Sequence, residues 1–176
     1  MNRKSILAIG LLSLGVFALS SCGGSNETTQ EEEQEGVEQK EEFVKVDVGE
    51  QEFKAILTAY LELSSAFVKT DEVLAKEKAL ALSEAITSTG DPFDGIKNHA
   101  DQISELDLIE KQREHFKPMS ESMLRLSKGN SDDLFMHYCS MAFDNEGANW
   151  ISNDEEVLNP YFGDVMLHCG STKKLE

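Results

Sequence analysis

The sequence predicts a mainly α protein, an antiparallel four-helix bundle followed by a C-terminal irregular or short-strand segment that carries two cysteines. Three observations predict it. Apolar residues recur at three- and four-residue steps from Phe53 to Leu126, the period of helices with one buried face. Breakers at Lys69-Thr70-Asp71, at Ser88-Thr89-Gly90-Asp91-Pro92 and at Gly129-Asn130 divide the run, and links this short join antiparallel neighbours. After Ser131 the helical period fails, and Cys, Met, His, Trp and Tyr gather among turn residues.

The N-terminus reads as an export signal. Asn2-Arg3-Lys4 is basic, and Ile6 to Leu19 is apolar apart from Ser13 and two glycines. That run suits the apolar core of a leader and falls short of the ~20 apolar residues a spanning helix needs. It ends in Leu19-Ser20-Ser21-Cys22, which resembles the lipobox of bacterial lipoproteins. The expectation is a signal peptide over 1–21, cleavage before Cys22, and acyl chains (palmitate among them) anchoring Cys22 to a membrane. Gly23 argues against an inner-membrane retention signal, so the periplasmic face of the outer membrane is the expected location.

Residues 22–48 then form the lipidated cysteine and an acidic, disordered tether. Glu31-Glu32-Glu33-Gln34-Glu35 typifies it, and so few apolar residues cannot offset the entropy of ordering. A flexible stretch of this length reaches on the order of 25 Å. Phe43 to Val48 alternates briefly and reads as an extended lead-in to the domain that fills 49–176.

Four helices follow. The first has a stripe of Phe53, Ile56, Leu57, Tyr60, Leu61, Ser64 and Phe67. Asp71 is placed to cap the second, which uses Leu74, Ala75, Ala79, Leu82, Ala85 and Ile86. The third covers Asp94 to Ser104 with Ile96, Ala100 and Ile103 inward. The fourth carries Ile109, Gln112, Phe116, Met119, Met123 and Leu126 at bundle-seam spacing. Pro118 removes one backbone donor inside it and is expected to bend it. Met119 and Met123 read as packing residues. Leu134 to Tyr138 looks like a short strand.

Charge narrows the function classes. A formal net charge of −17 opposes binding to nucleic acid and to anionic lipid headgroups. Attachment to the membrane must then come from lipid on Cys22. No Ser/His/Asp or Cys/His catalytic set stands out, and the acidic pairs read as solvated turns, so the expectation is a binding protein rather than an enzyme.

The chemistry-bearing residues lie late. One group is Met136-His137-Tyr138-Cys139-Ser140-Met141, the other Met166-Leu167-His168-Cys169. Thiolate, thioether and imidazole together select soft ions such as Cu(I). In an extended strand His137, Cys139 and Met141 would project from one side. Three readings of the residues stand side by side: a soft-metal site, a Cys139–Cys169 disulfide permitted by an exported compartment, and two buried inert thiols. A disulfide closing a loop of ~30 residues would stabilise by ~3–4 kcal/mol in the chain-entropy model.

Tyr138-Cys139-x-Met141, Gly147-Ala148-x-Trp150-x-Ser152, Asn159-Pro160-Tyr161-Phe162-Gly163, Met166-x-x-Cys169-Gly170 and, in the fourth helix, Gln112-Arg113-x-x-Phe116 resemble the domain of unknown function 3347 family, from about Phe53 to the C-terminus. That family occurs in exported proteins of the Bacteroidota and fused to periplasmic adaptor subunits of copper/silver efflux pumps. The resemblance implies a periplasmic metal-handling context, with a heavy-metal efflux adaptor complex as the implied partner and Cu(I) as the implied ion. Its candidate ligands are Cys139, Met141, Met166 and Cys169, with His137 and His168 as optional imidazoles outside the family pattern. Trp150 and Tyr161 would form a supporting wall. Ser140 stands where the family has proline, which loosens the geometry between Cys139 and Met141.

Overall fold

The computed structural model describes residues 47–131 and 133–175. The expected leader, Cys22, the tether and most of the lead-in strand lie outside the described residues. Four helices come first: α1 (Glu50–Val68), α2 (Glu72–Ala85), α3 (Phe93–Glu105) and α4 (Ile109–Ser127). Three short strands follow: β1 (Phe135–Cys139), β2 (Ala148–Ser152) and β3 (Ser171–Lys174). The mainly α class, with four packed helices and a small cysteine-bearing sheet behind them, is the one the sequence predicts.

Local chemistry sets each helix boundary. Glu50 and Glu52 occupy the first turn of α1, where a carboxylate meets the positive end of the helix dipole. Asp71 caps α2 as expected, accepting from the Leu74 N–H at 2.9 Å. The α2–α3 link is fastened to α1 by Glu52, which accepts from the N–H and hydroxyl groups of both Thr87 and Ser88 at 2.7–2.9 Å. Burial opposes ionisation of Glu52, yet those hydrogen bonds, led by Ser88, hold its pKa down at about 2. α4 continues through Pro118 to Ser127 without interruption.

The core lies along the inner faces of the helices. Ile56, Tyr60, Leu63, Phe67, Leu82, Ile96, Ile103, Phe116, Met119, Met123 and Leu126 are fully buried. Met119 and Met123 are thus packing residues. On α1 the buried side is Phe53, Ile56, Tyr60, Leu63, Ser64 and Phe67, while Leu57 and Leu61 are only partly covered. The inward face is therefore rotated toward Leu63 relative to the predicted stripe. Phe116 joins α4 to α1, stacked on Tyr60 at 5.4 Å and tilted against Phe67 at 4.8 Å between ring centroids.

The sheet has the order β2-β1-β3, with both pairings antiparallel. Cys139 lies opposite Ala148, and His137 opposite Trp150. These four residues are buried, whereas Tyr138 between them is exposed. The sheet thus has one covered face, and β2 packs it onto α4.

Candidate functional site

Two sulfur atoms meet where β1 ends. Cys139 Sγ and Cys169 Sγ stand 2.7 Å apart, and both cysteines are free thiols. Cys139 is fully buried and Cys169 is half-buried. The sequence motifs explain how residues thirty positions apart are brought together.

Asn159 is the central fastener. It is fully buried, and its amide donates to the Cys169 carbonyl at 2.8 Å. Its side-chain oxygen accepts from the N–H groups of Tyr161 and Phe162 at 2.8 and 3.3 Å, an Asx turn. Its own N–H donates to Leu167 O at 2.8 Å. The Tyr161 hydroxyl donates to Asn149 O at 2.6 Å, and its ring meets Trp150 edge-on with centroids 5.8 Å apart. Burial pushes the Tyr161 phenol well above its ordinary pKa, so it remains a donor.

Arg113 ties this loop to the bundle. Its Nε donates to Pro160 O at 2.8 Å, and Nη2 donates to Phe67 O at 3.0 Å and Thr70 Oγ1 at 3.1 Å. Neighbouring Gln112 donates to Glu72 O and Leu106 O, linking the start of α2 to the end of α3. Phe116, one turn on, also touches Tyr161, with centroids 5.7 Å apart. The Gln-Arg-x-x-Phe motif is therefore a structural joint. The charge pattern from Glu110 to Glu114 reads as a solvated face, and it concealed the buried arginine.

Two glycines are needed by close approach. Gly147 has φ +82, and a Cβ there would run into the Tyr138 ring. Gly163 has φ +54, and a Cβ would collide with the Thr70 hydroxyl and crowd Arg113.

The other candidate ligands are dispersed. His137 is fully buried and stacks on Trp150 at 5.1 Å. Its Nε2 engages Ser152 Oγ at 2.9 Å and Asp154 O at 3.2 Å, while Nδ1 has no partner. His168 is exposed, with Nδ1 against Val157 O at 3.0 Å. Met141 lies beyond the end of β1 and is 50% exposed. The two-residue alternation that would align it with Cys139 stops at the strand end. Met166 is half-buried, and its carbonyl accepts from the Cys169 N–H at 3.0 Å. Among the described residues no group of three or more His, Cys, Asp or Glu side chains is gathered around an ion position.

The electrostatics favour neutral groups. The Cys169 thiol is pushed up, first by the hydrogen bond it shares with Cys139 and then by burial, the opposite of an activated thiolate. Burial lowers the pKa of His137, against a smaller opposing pull from Asp154. The unfolded chain therefore binds a proton at this histidine more readily than the folded one. Stability from this group is full above the unfolded value of about 6.5 and is lost as pH falls below it. His99 shifts the same way, by burial and by the charge of His115. Urea unfolding across the imidazole range should show wild type weakening with acid and His137→Leu weakening less steeply; equal slopes would refute the buried neutral imidazole.

Residues 56–133 match the model of the family described as "Protein of unknown function (DUF3347)", and this segment belongs to that family. The match covers the bundle from Ile56 in α1 onward, including Gln112, Arg113 and Phe116, and ends before β1. The cysteine-bearing motifs lie beyond it. No curated protein and no solved structure matches the chain. No helix among the described residues is long and apolar enough to cross a membrane.

Proposed function

We propose that the protein is an exported lipoprotein, anchored by lipid on Cys22 to the periplasmic face of the outer membrane. Its Cys139/Cys169 pair would serve as a soft-metal site for Cu(I) or Ag(I), in an accessory of metal efflux or homeostasis. The mechanism is capture and hand-over without catalysis. The observation that carries the reading is the pair itself: two free thiols in contact, one buried and one partly open to solvent. Thiolates are the preferred donors of soft ions. Met166 is the nearer thioether in the chain to Cys169, and Met141 is the more exposed.

Loading requires movement. Two metal–sulfur bonds of about 2.3 Å at a tetrahedral angle hold sulfurs about 3.8 Å apart, wider than the 2.7 Å between these thiols. Cys169 must swing outward and both thiols must lose their protons. Binding should therefore strengthen with pH.

That same 2.7 Å favours a second reading, in which the oxidised chain carries a Cys139–Cys169 disulfide stapling the sheet and the module works through protein contacts. A covalent bond needs about 2.05 Å, a smaller shift than metal binding. Anaerobic Cu(I) titration against a competing chelator separates the two. The metal reading expects tight binding in wild type that is lost in Cys139→Ser/Cys169→Ser. Equal weak binding in both, with no free thiols in freshly isolated protein, overturns it in favour of the staple. The anchor is tested separately: Cys22→Ser should leave the leader uncleaved or release the protein, and a processed Cys22→Ser chain still in the membrane would refute lipidation.

A further inference from the structure

The bundle contains a second pair of ligand-type atoms, independent of the sulfur pair. His99 on α3 and His115 on α4 face each other with Nδ1 atoms 3.1 Å apart. Their ring centroids are 5.4 Å apart and the planes are tilted by 47°. Both side chains are half-buried, so each is fixed on one side and reachable on the other.

The backbones that carry them are closely packed. One turn before His99, Gly95 approaches α4 so closely that a Cβ would stand 3.1 Å from Ser122 Oγ. Ile96, Ala100 and Ile103 on α3, and Gln112, Phe116 and Met119 on α4, are buried. Ligands mounted on packed helices keep their spacing better than ligands on loops.

Two arrangements put imidazole nitrogens at this distance. One ring can donate an N–H to the other, which requires a protonated Nδ1 facing an unprotonated one. Alternatively, both lone pairs can converge on an ion. An ion about 2.05 Å from each nitrogen would see the pair at an angle of about 100°. That lies between the square-planar and tetrahedral angles, so the nitrogen–nitrogen spacing already suits a shared ion. The sulfur pair, by contrast, must open before it can chelate anything.

We propose that His99 and His115 form a two-imidazole site for a borderline divalent cation such as Zn(II), with water completing the coordination. Imidazole suits Zn(II), Cu(II) and Ni(II). No further His, Cys, Asp or Glu joins the pair among the described residues, so the remaining positions are open and the ion exchanges readily. The net charge of −17 raises the concentration of cations near the surface. Burial and the neighbouring His115 also disfavour the imidazolium form of His99, the form that cannot bind a metal.

The test is a Zn(II) titration of the full chain under reducing conditions, followed by long-range proton–nitrogen correlation of the histidine side chains. The expected result is that His99 and His115 shift together at Nδ1, while His137 and His168 do not, and that Cys139→Ser/Cys169→Ser behaves the same way. His115→Gln, with folding checked by circular dichroism, should weaken that site by more than the roughly 10–100-fold that loss of a supporting contact costs. If the His99 and His115 signals stay unmoved in the wild-type chain, the pair shares a proton only and the proposal fails. It fails equally if His115→Gln binds Zn(II) at His99 as tightly as wild type does. Neither outcome bears on the sulfur pair, which is read separately by Cu(I).

Discussion

Arg113→Ala is expected to destabilise the protein by about 3–5 kcal/mol, because it strands two buried carbonyl oxygens at about 1–3 kcal/mol each. The side chain is 8% exposed, and among the described residues none of the ion pairs includes it. Its charge is met instead by backbone oxygens: Phe67 O in the last turn of α1 and Pro160 O in the loop that carries Tyr161. The C-terminal end of a helix carries partial negative charge, so a cation there is favoured. Burial does depress the pKa of Arg113, partly offset by Glu110, but a guanidinium remains charged at any physiological pH. Truncation removes all three hydrogen bonds and opens a gap beside Gly163. Arg113→Lys should recover only part of the loss, because a single ammonium cannot reproduce the fork that spans Pro160 and Phe67. Urea unfolding gives the magnitude, and near-ultraviolet dichroism of Trp150, the sole tryptophan, reports whether the sheet has come away. A cost below about 1 kcal/mol, within the range of one ordinary neutral hydrogen bond, would mean that Arg113 is not the joint.

The parts of this architecture that were legible in the sequence are those governed by local chemistry. The α1–α2 and α2–α3 boundaries and the end of α4 follow from breakers and from Asp71, and the seam from Gln112 to Leu126 follows from period alone; no breaker marks the link Leu106–Leu108 between α3 and α4. The α1 face was less legible because Leu57 and Leu61 are as apolar as Leu63. Only the neighbouring helices decide which side turns inward. β3 was not legible at all. Ser171 to Lys174 is exposed at every position and joins the sheet through its backbone pairing with β1, so hydropathy carries no trace of it. The cysteines, Trp150 and Tyr161 could be picked out as unusual residues, but the contact between Cys139 and Cys169 is a matter of register. It depends on Cys139 facing Ala148 and on Tyr138 facing Ser171, pairings set by residues far apart in the chain. Arg113 was hidden for a different reason: a charged residue among Glu110, Lys111 and Glu114 carries no mark that it alone is buried.

Asn159→Ala should act on the sulfur pair more directly than any other single change outside it. One amide satisfies the Cys169 carbonyl and the N–H groups of Tyr161 and Phe162, and none of these is replaced when it is cut back. Orphaning buried backbone groups costs about 1–3 kcal/mol each, so a total loss of about 3–4 kcal/mol is expected, with some groups recovering water. The consequence for Cys169 is separable from the loss of stability. Asn159 fixes the turn that holds Cys169 against Cys139, and weakening that hold by about 1.4 kcal/mol lowers the effective concentration of one thiol at the other tenfold. Equilibration of the folded chain with oxidised and reduced glutathione measures that concentration through the population of the Cys139–Cys169 bond. The expected result is a shift of about tenfold toward the open dithiol in Asn159→Ala, under conditions where circular dichroism shows the helices intact. Arg113→Lys should shift it less, since Arg113 grips Pro160 rather than the cysteine turn. An unchanged glutathione equilibrium in Asn159→Ala would show that the pair is held by the sheet register alone, and Asn159 would then be a loop fastener with no part in the sulfur chemistry.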